Sequence, residues 1–143
     1  MPRMSFTLAG LPDTMNALEE LTPDLINEVE RMQRAYAEVA AERIRGLYAT
    51  KTGELARGVR TRRLLKGRNV AAMVVENTHW LASIYEHGSK TRRETKQGYD
   101  RGQMPARPVF IRVMNETHYT VQYITIQILK RHGLIVTGSN VAA

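Results

Sequence analysis

The sequence contains no cysteine. This excludes a disulfide framework, a thiolate metal site and a thiol nucleophile, and it fits a reducing cytoplasm. It also lacks a long apolar run. Met1-Pro2-Arg3-Met4-Ser5-Phe6 has no signal-peptide core, and no segment approaches the length needed to cross a bilayer. A soluble protein made in the cytoplasm is expected. Catalytic patterns are scarce as well. The four histidines are His79, His87, His118 and His132, and no pair has the spacing and acidic companion of a metal site. Gly53, Gly58 and Gly67 lack the strand-loop-helix setting of a phosphate-binding loop. Glu86 and His87 are adjacent, so on a helix they do not face each other as an acid-base pair. The expectation is a non-enzyme with no cofactor and no metal.

The chain has 143 residues and a hydrophobic fraction of 43%, enough for one ordinary core and too little for two. A single domain over 1–143 is expected, with a core at 5–131, a mobile arm at 88–103 and a tail at 133–143.

The positive charge is local. Arg57, Arg60, Arg62, Arg63, Lys66 and Arg68 occur with no acid among them, and Lys90, Arg92, Arg93, Lys96 and Arg101 occur against Glu94 and Asp100. The two segments carry +9 against a net charge of +7 for the whole chain, so the remainder is slightly acidic. Such patches concentrate polyanions or acidic protein surfaces, or serve only as a solvated face. Tyr99 is the only aromatic residue inside either segment. A stacking platform for nucleic acid is therefore not indicated, nor is a helix-turn-helix or zinc finger.

Hydrophobic periodicity predicts an α+β fold. It has a small antiparallel sheet packed against a long N-terminal helix and a long C-terminal helix, with a mobile loop between. Ser5 to Gly10 reads as an edge strand, and Pro12 to Leu21 as a brief helical stretch. Thr22, Pro23 and Asp24 form a helix start, with threonine able to cap and aspartate at the positive end of the dipole. The helix should run to about Leu47. Leu25, Val29, Met32, Tyr36, Val39, Arg43 and Leu47 trace a stripe of alternating four- and three-residue steps, apolar except for Arg43.

Thr52-Gly53-Glu54-Leu55 reads as a turn. Arg57 to Leu65 and Val70 to Glu76 then read as a β-hairpin whose second strand, apolar on both faces, should lie centrally. Trp80, Leu81, Ile84 and Tyr85 predict a short amphipathic helix ending at Gly88. A last helix should begin at Pro108, carry Phe110, Val113 or Met114, Thr117, Val121, Ile124 and Ile128 on its inner face, and stop at Gly133. The tail from Leu134 to Gly138 is suited to a further strand or to folding on a partner.

The order of a short strand, a long helix, Thr52-Gly53-Glu54-Leu55, a hairpin, Trp80-Leu81-Ala82-Ser83-Ile84-Tyr85-Glu86-His87-Gly88-Ser89, a loop, and Pro105-Ala106-Arg107-Pro108-Val109-Phe110 resembles tailed-bacteriophage head-to-tail joining proteins. In particular it resembles neck and tail-completion proteins related to minor tail protein Z and to virion-morphogenesis proteins. The resemblance covers roughly residues 5 to 131. It implies a structural virion protein without catalytic activity, found in the host cytoplasm during assembly. It also implies a homo-oligomer, commonly a hexameric ring, contacting other neck and tail proteins at the head-tail junction. A tail terminator capping the tail tube is the nearest alternative, and a free-standing nucleic-acid-binding protein a more distant one. On this reading Gly88, Lys90, Arg92, Arg93, Lys96, Tyr99 and Arg101 form the contact arm. Arg57, Arg60, Arg62, Arg63, Lys66 and Arg68 then face packaged DNA or an acidic partner, with no membrane and no small-molecule substrate involved.

Overall fold

A computed structural model describes residues 4–7, 22–48, 53–66, 70–89 and 102–135. Strand β1 is Met4–Thr7, helix α1 is Pro23–Leu47, the single turn α2 is Glu54–Arg57, β2 is Val59–Lys66 and β3 is Val70–Asn77. Helices α3, Ala82–His87, and α4, Phe110–Arg131, follow. The fold is α+β, a small antiparallel sheet packed against the two long helices.

The sheet order is β1-β3-β2, antiparallel throughout, so β3 is central as its two apolar faces predict. Opposed residues share a face of the sheet. Val59, Val75 and Met73 therefore pack on the side of α1, whereas Arg60 opposite Glu76 and Arg62 opposite Val74 lie on the other side. Helix α1 lies against β3 and β2 and also against α4. The two long helices run antiparallel. Glu28 meets Arg131 at 3.0 Å and His132 at 2.8 Å at one end, and Arg43 meets Glu116 at 2.7 Å toward the other.

Pro23 starts α1 as expected, but the Thr22 side chain makes no cap bond; its carbonyl accepts from Leu25 and Ile26 instead. The buried line of α1 also departs from the expected stripe. Leu25 and Val29 are buried, and the line then passes through Gln33, Ala37, Ala40, Ala41 and Ile44. Met32 and Tyr36 pack at its edge, while Val39 and Leu47 stand 64% and 49% exposed. A strict seven-residue repeat drifts by about 20° per heptad on a straight helix. After two heptads the core-facing line has moved from the large side chains onto alanines. Those alanines let α1 approach the sheet and α4 closely, and Ile44, Phe110, Val113 and Met114 fill the space between.

Three boundaries also shift. Arg57 ends α2 and does not start the hairpin. Helix α4 begins at Phe110, two residues beyond Pro108, with Val109 as its N-cap. Trp80 lies in a turn ahead of α3 and is 59% exposed, so it is not part of an apolar helix face. On α4, Phe110, Val113, Met114, Val121 and Ile128 are buried as predicted, whereas Thr117 and Ile124 are half-buried. Gly133 follows α4 in the left-handed region at φ 82°. Leu134 packs against the cluster of Leu25, Val29, Ala72, Ile128 and Leu129, and Ile135 is 91% exposed. The stretch expected to be helical at 12–21, the strand end at Ala9 and Gly10, the turn at 67–69 and the tail from 136 lie outside the described residues.

Candidate functional site

The base of the predicted arm is fixed. Gly88 ends α3 at φ 77°, a conformation that favours glycine, and a Cβ there would lie 2.7 Å from the Met104 carbonyl and 2.9 Å from the Ala106 nitrogen. The Ser89 N–H donates to the Met104 carbonyl at 2.9 Å, and the Met104 N–H donates back to Ser89 Oγ at 3.2 Å. The Arg107 N–H donates to the Tyr85 carbonyl, and its guanidinium lies 5.9 Å from the Tyr85 ring centroid. Both ends of the arm therefore leave one point on the body. Of the residues assigned to the arm, Gly88 is at this point; Lys90, Arg92, Arg93, Lys96, Tyr99 and Arg101 lie outside the described residues.

Beside the arm base is a buried carboxylate. Glu86, 2% exposed, accepts from Tyr48 Oη at 2.9 Å and from the Phe110 N–H at 2.8 Å. A longer bond of 3.4 Å comes from the Ile111 N–H. No side chain of α4's own N-cap binds these first amides, so Glu86 caps the helix from a distance and meets the positive end of its dipole. Burial, and then the adjacent Glu86 charge, push the Tyr48 hydroxyl well above the usual phenol range. The Tyr48 ring packs edge-on against Tyr85 at 5.5 Å. The neighbouring His87 turns the other way, its Nδ1 lying 3.0 Å from the Ser83 carbonyl. This carboxylate fixes the joint between α1, α3 and α4.

The basic segment is divided between two faces and partly compensated. Arg63 pairs with Glu30 of α1 at 2.7 Å, and Arg62 stands 3.7 Å from Glu76. On the same face as Arg63, Thr61 Oγ1 donates to Glu38 of α1. Lys66 lies at the end of β2 opposite Val70, and Arg68 is outside the described residues. Arg57 and Arg60, both exposed, line an open depression of about 310 Å³ with Glu54, Gly58, Thr78 and His79. Its floor is rigid. Buried Asn77 donates to the Leu55 carbonyl and accepts the His79 N–H at 2.9 Å, and a Cβ on Gly58 would crowd Asn77 Oδ1 and lie 2.9 Å from His79 Cβ.

Among the described residues no group of three His, Asp or Glu side chains is placed to hold a metal ion, and no helix is long and apolar enough to cross a membrane. His79 faces Glu54, His132 faces Glu28, and His118 Nδ1 is buried without a hydrogen-bond partner. Scans against family models, curated proteins and solved structures return no match to this chain.

Sequence reasoning missed Tyr48, hidden as one more apolar residue at a helix end, and the approach of His79 to Arg57 and Arg60. The one available signal was Asn77, a polar residue that with Glu76 ends a strand apolar from Val70 to Val75.

Proposed function

We propose that this chain is a structural protein of a tailed-phage virion, one subunit of a homo-oligomeric ring, hexameric in the form the resemblance implies, that joins the tail to the DNA-filled head. The observation that carries the reading is the arm closed at its base by Ser89 and Met104. A segment with both ends pinned at one point can reach a neighbouring subunit without drawing on the packing of the body, and an extended arm can add to a neighbour's exposed sheet edge. The segments that carry the resemblance also have related structural tasks here. Glu86 caps α4, Gly88 admits the backbone at 104–106, and Gly53, at φ 66°, starts α2. These tasks meet at one joint between helices, which supports the reading.

The test is electron microscopy of lysates from a phage with a stop codon early in this gene, with and without purified protein added back. Filled heads and separate finished tails that join on addition are the expected result. Overlong or ragged tails point to a tail terminator, and normal virions overturn the assembly role.

A further inference from the structure

Six large apolar side chains are exposed among the described residues, and four of them share one face. Val39 and Leu47 stand four positions before and four after Arg43 on α1, and Tyr119 and Tyr123 follow Glu116 by three and seven on α4. At that spacing each set lies on the same side of its helix as the charged residue. Arg43 and Glu116 meet at 2.7 Å, which brings the two sets together along the seam between the antiparallel helices. Glu28, with Arg131 and His132, closes the far end of the seam. Val39, Tyr119 and Tyr123, 64%, 70% and 54% exposed, therefore lie between two groups of ion pairs. Ala35 and Gly46, both exposed, are on the side of α1 that carries Val39, and a Cβ on Gly46 would meet nothing within 4 Å. A second helix has room to approach there.

We infer that this seam binds a second copy of the chain about a two-fold axis, the two antiparallel helix pairs packing face to face as a four-helix bundle. Charge selects the partner. The chain carries +7, so its copies repel one another except where the surface is locally balanced. The seam is balanced at both ends, with Arg43 and Glu116 at one and Glu28, Arg131 and His132 at the other. A two-fold axis across the helices sets each end against the opposite end of the copy, so an acid meets a base at both. Each long helix then runs antiparallel to its neighbour and to its own counterpart, as in an up-and-down bundle. The size also fits. The stretch from Glu28 to Leu47 rises about 30 Å, and two helices about 10 Å apart make a face about 20 Å wide. About 600 Å² per copy is at the lower end of the area that specific interfaces bury, and it fits a dissociation constant on the order of micromolar. Such a contact closes at two copies. It differs from the head-to-tail contacts of a ring and does not rest on the assembly role.

The chain has no cysteine, so one introduced thiol reports only its own surroundings. Val39→Cys, in the middle of the seam, should give a covalent dimer with a short bis-maleimide at micromolar protein. Arg62→Cys, on the sheet face away from α1, should not. Sedimentation velocity of the full chain across the micromolar range should show a reversible monomer and dimer. Tyr119→Ala should weaken that equilibrium by about 10-fold to 30-fold, the loss of one aromatic anchor. Val39→Glu with Tyr119→Glu should leave only monomer. Both positions are exposed, so the melting temperature, read at a concentration where the parent is also monomeric, should stay that of the parent. A parent that is monomeric at every concentration, equal cross-linking through the two cysteines, or a dimer that persists in the double variant overturns the inference. Joining of heads to tails in lysate tests the assembly role alone, so failure of either reading is seen apart from the other.

Discussion

Tyr48 donates its hydroxyl proton to Glu86 across 38 residues of sequence, at 2.9 Å and inside the core. The same carboxylate oxygen accepts the first amide of α4. One atom thus ties the end of the first long helix to the start of the last.

Substitution here should cost far more than a surface change. Glu86→Ala leaves a buried hydroxyl and helix amides without an acceptor, a loss of about 2–5 kcal/mol, seen as a melting temperature lower by about 5–15 °C. Tyr48→Phe removes one donor and should cost about 1–2 kcal/mol. Indistinguishable melts for Glu86→Ala and the parent would remove the capping role.

The same pair predicts a response to alkali. The Tyr48 phenol is raised in the folded chain and ordinary in the unfolded one, near 10. The unfolded chain therefore loses this proton first, and stability falls as pH rises above about 10. Denaturant titrations from pH 8 to 11 should show this decline, and Tyr48→Phe should reduce it.

The exposed ion pairs between the long helices act at the other end of the scale. Glu28 is lowered chiefly by its hydrogen bond to His132, with Arg131 adding to it, and Glu116 is lowered chiefly by Arg43. Their contribution is present above the ordinary carboxylate range and is lost as pH falls through the lowered values. A double variant Glu28→Gln, Glu116→Gln should flatten the acid limb of the stability curve. Added salt should weaken the parent more than the variant, because exposed pairs are screened.

Gly88→Ala combines a positive φ with a Cβ 2.7 Å from a carbonyl. It should destabilise by about 1–3 kcal/mol. Gly133→Ala, also at positive φ but with open space around it, should cost only about 1 kcal/mol. Equal losses at the two sites would show that the close approach to Met104 contributes nothing.

Replacing residues 90–101 with a short glycine-serine linker should leave the cooperative melt unchanged and abolish head-tail joining in lysates. Loss of the cooperative melt would show that the arm belongs to the body and would end the division of labour proposed for it.

Most of the fold was legible because its signals are local. Pro23 and Asp24 mark the start of α1, Gly133 marks the stop of α4, and the two apolar faces of β3 require neighbours on both sides. The inner line of α1 departs from the stripe of large apolar residues because close packing favours Ala37, Ala40 and Ala41 and leaves Val39 in solvent. The site was harder still. Glu86 looks like a helix-surface acid until Tyr48 and Phe110 arrive from distant positions, and no local pattern places His79 beside Arg60. Charge counts gave the location of the basic segment but not its compensation, since Glu30 comes from another element and Glu76 from the facing strand.

The closure between Ser89 and Met104 also frees the length of what it closes. Once two anchor points are fixed, lengthening the intervening chain adds only a logarithmic entropy term, about 0.6 kcal/mol for each doubling. Variants with longer or shorter inserts between these anchors should therefore melt almost alike. Reach toward a partner can then be retuned by insertion while Glu86 and the helices it joins stay as they are.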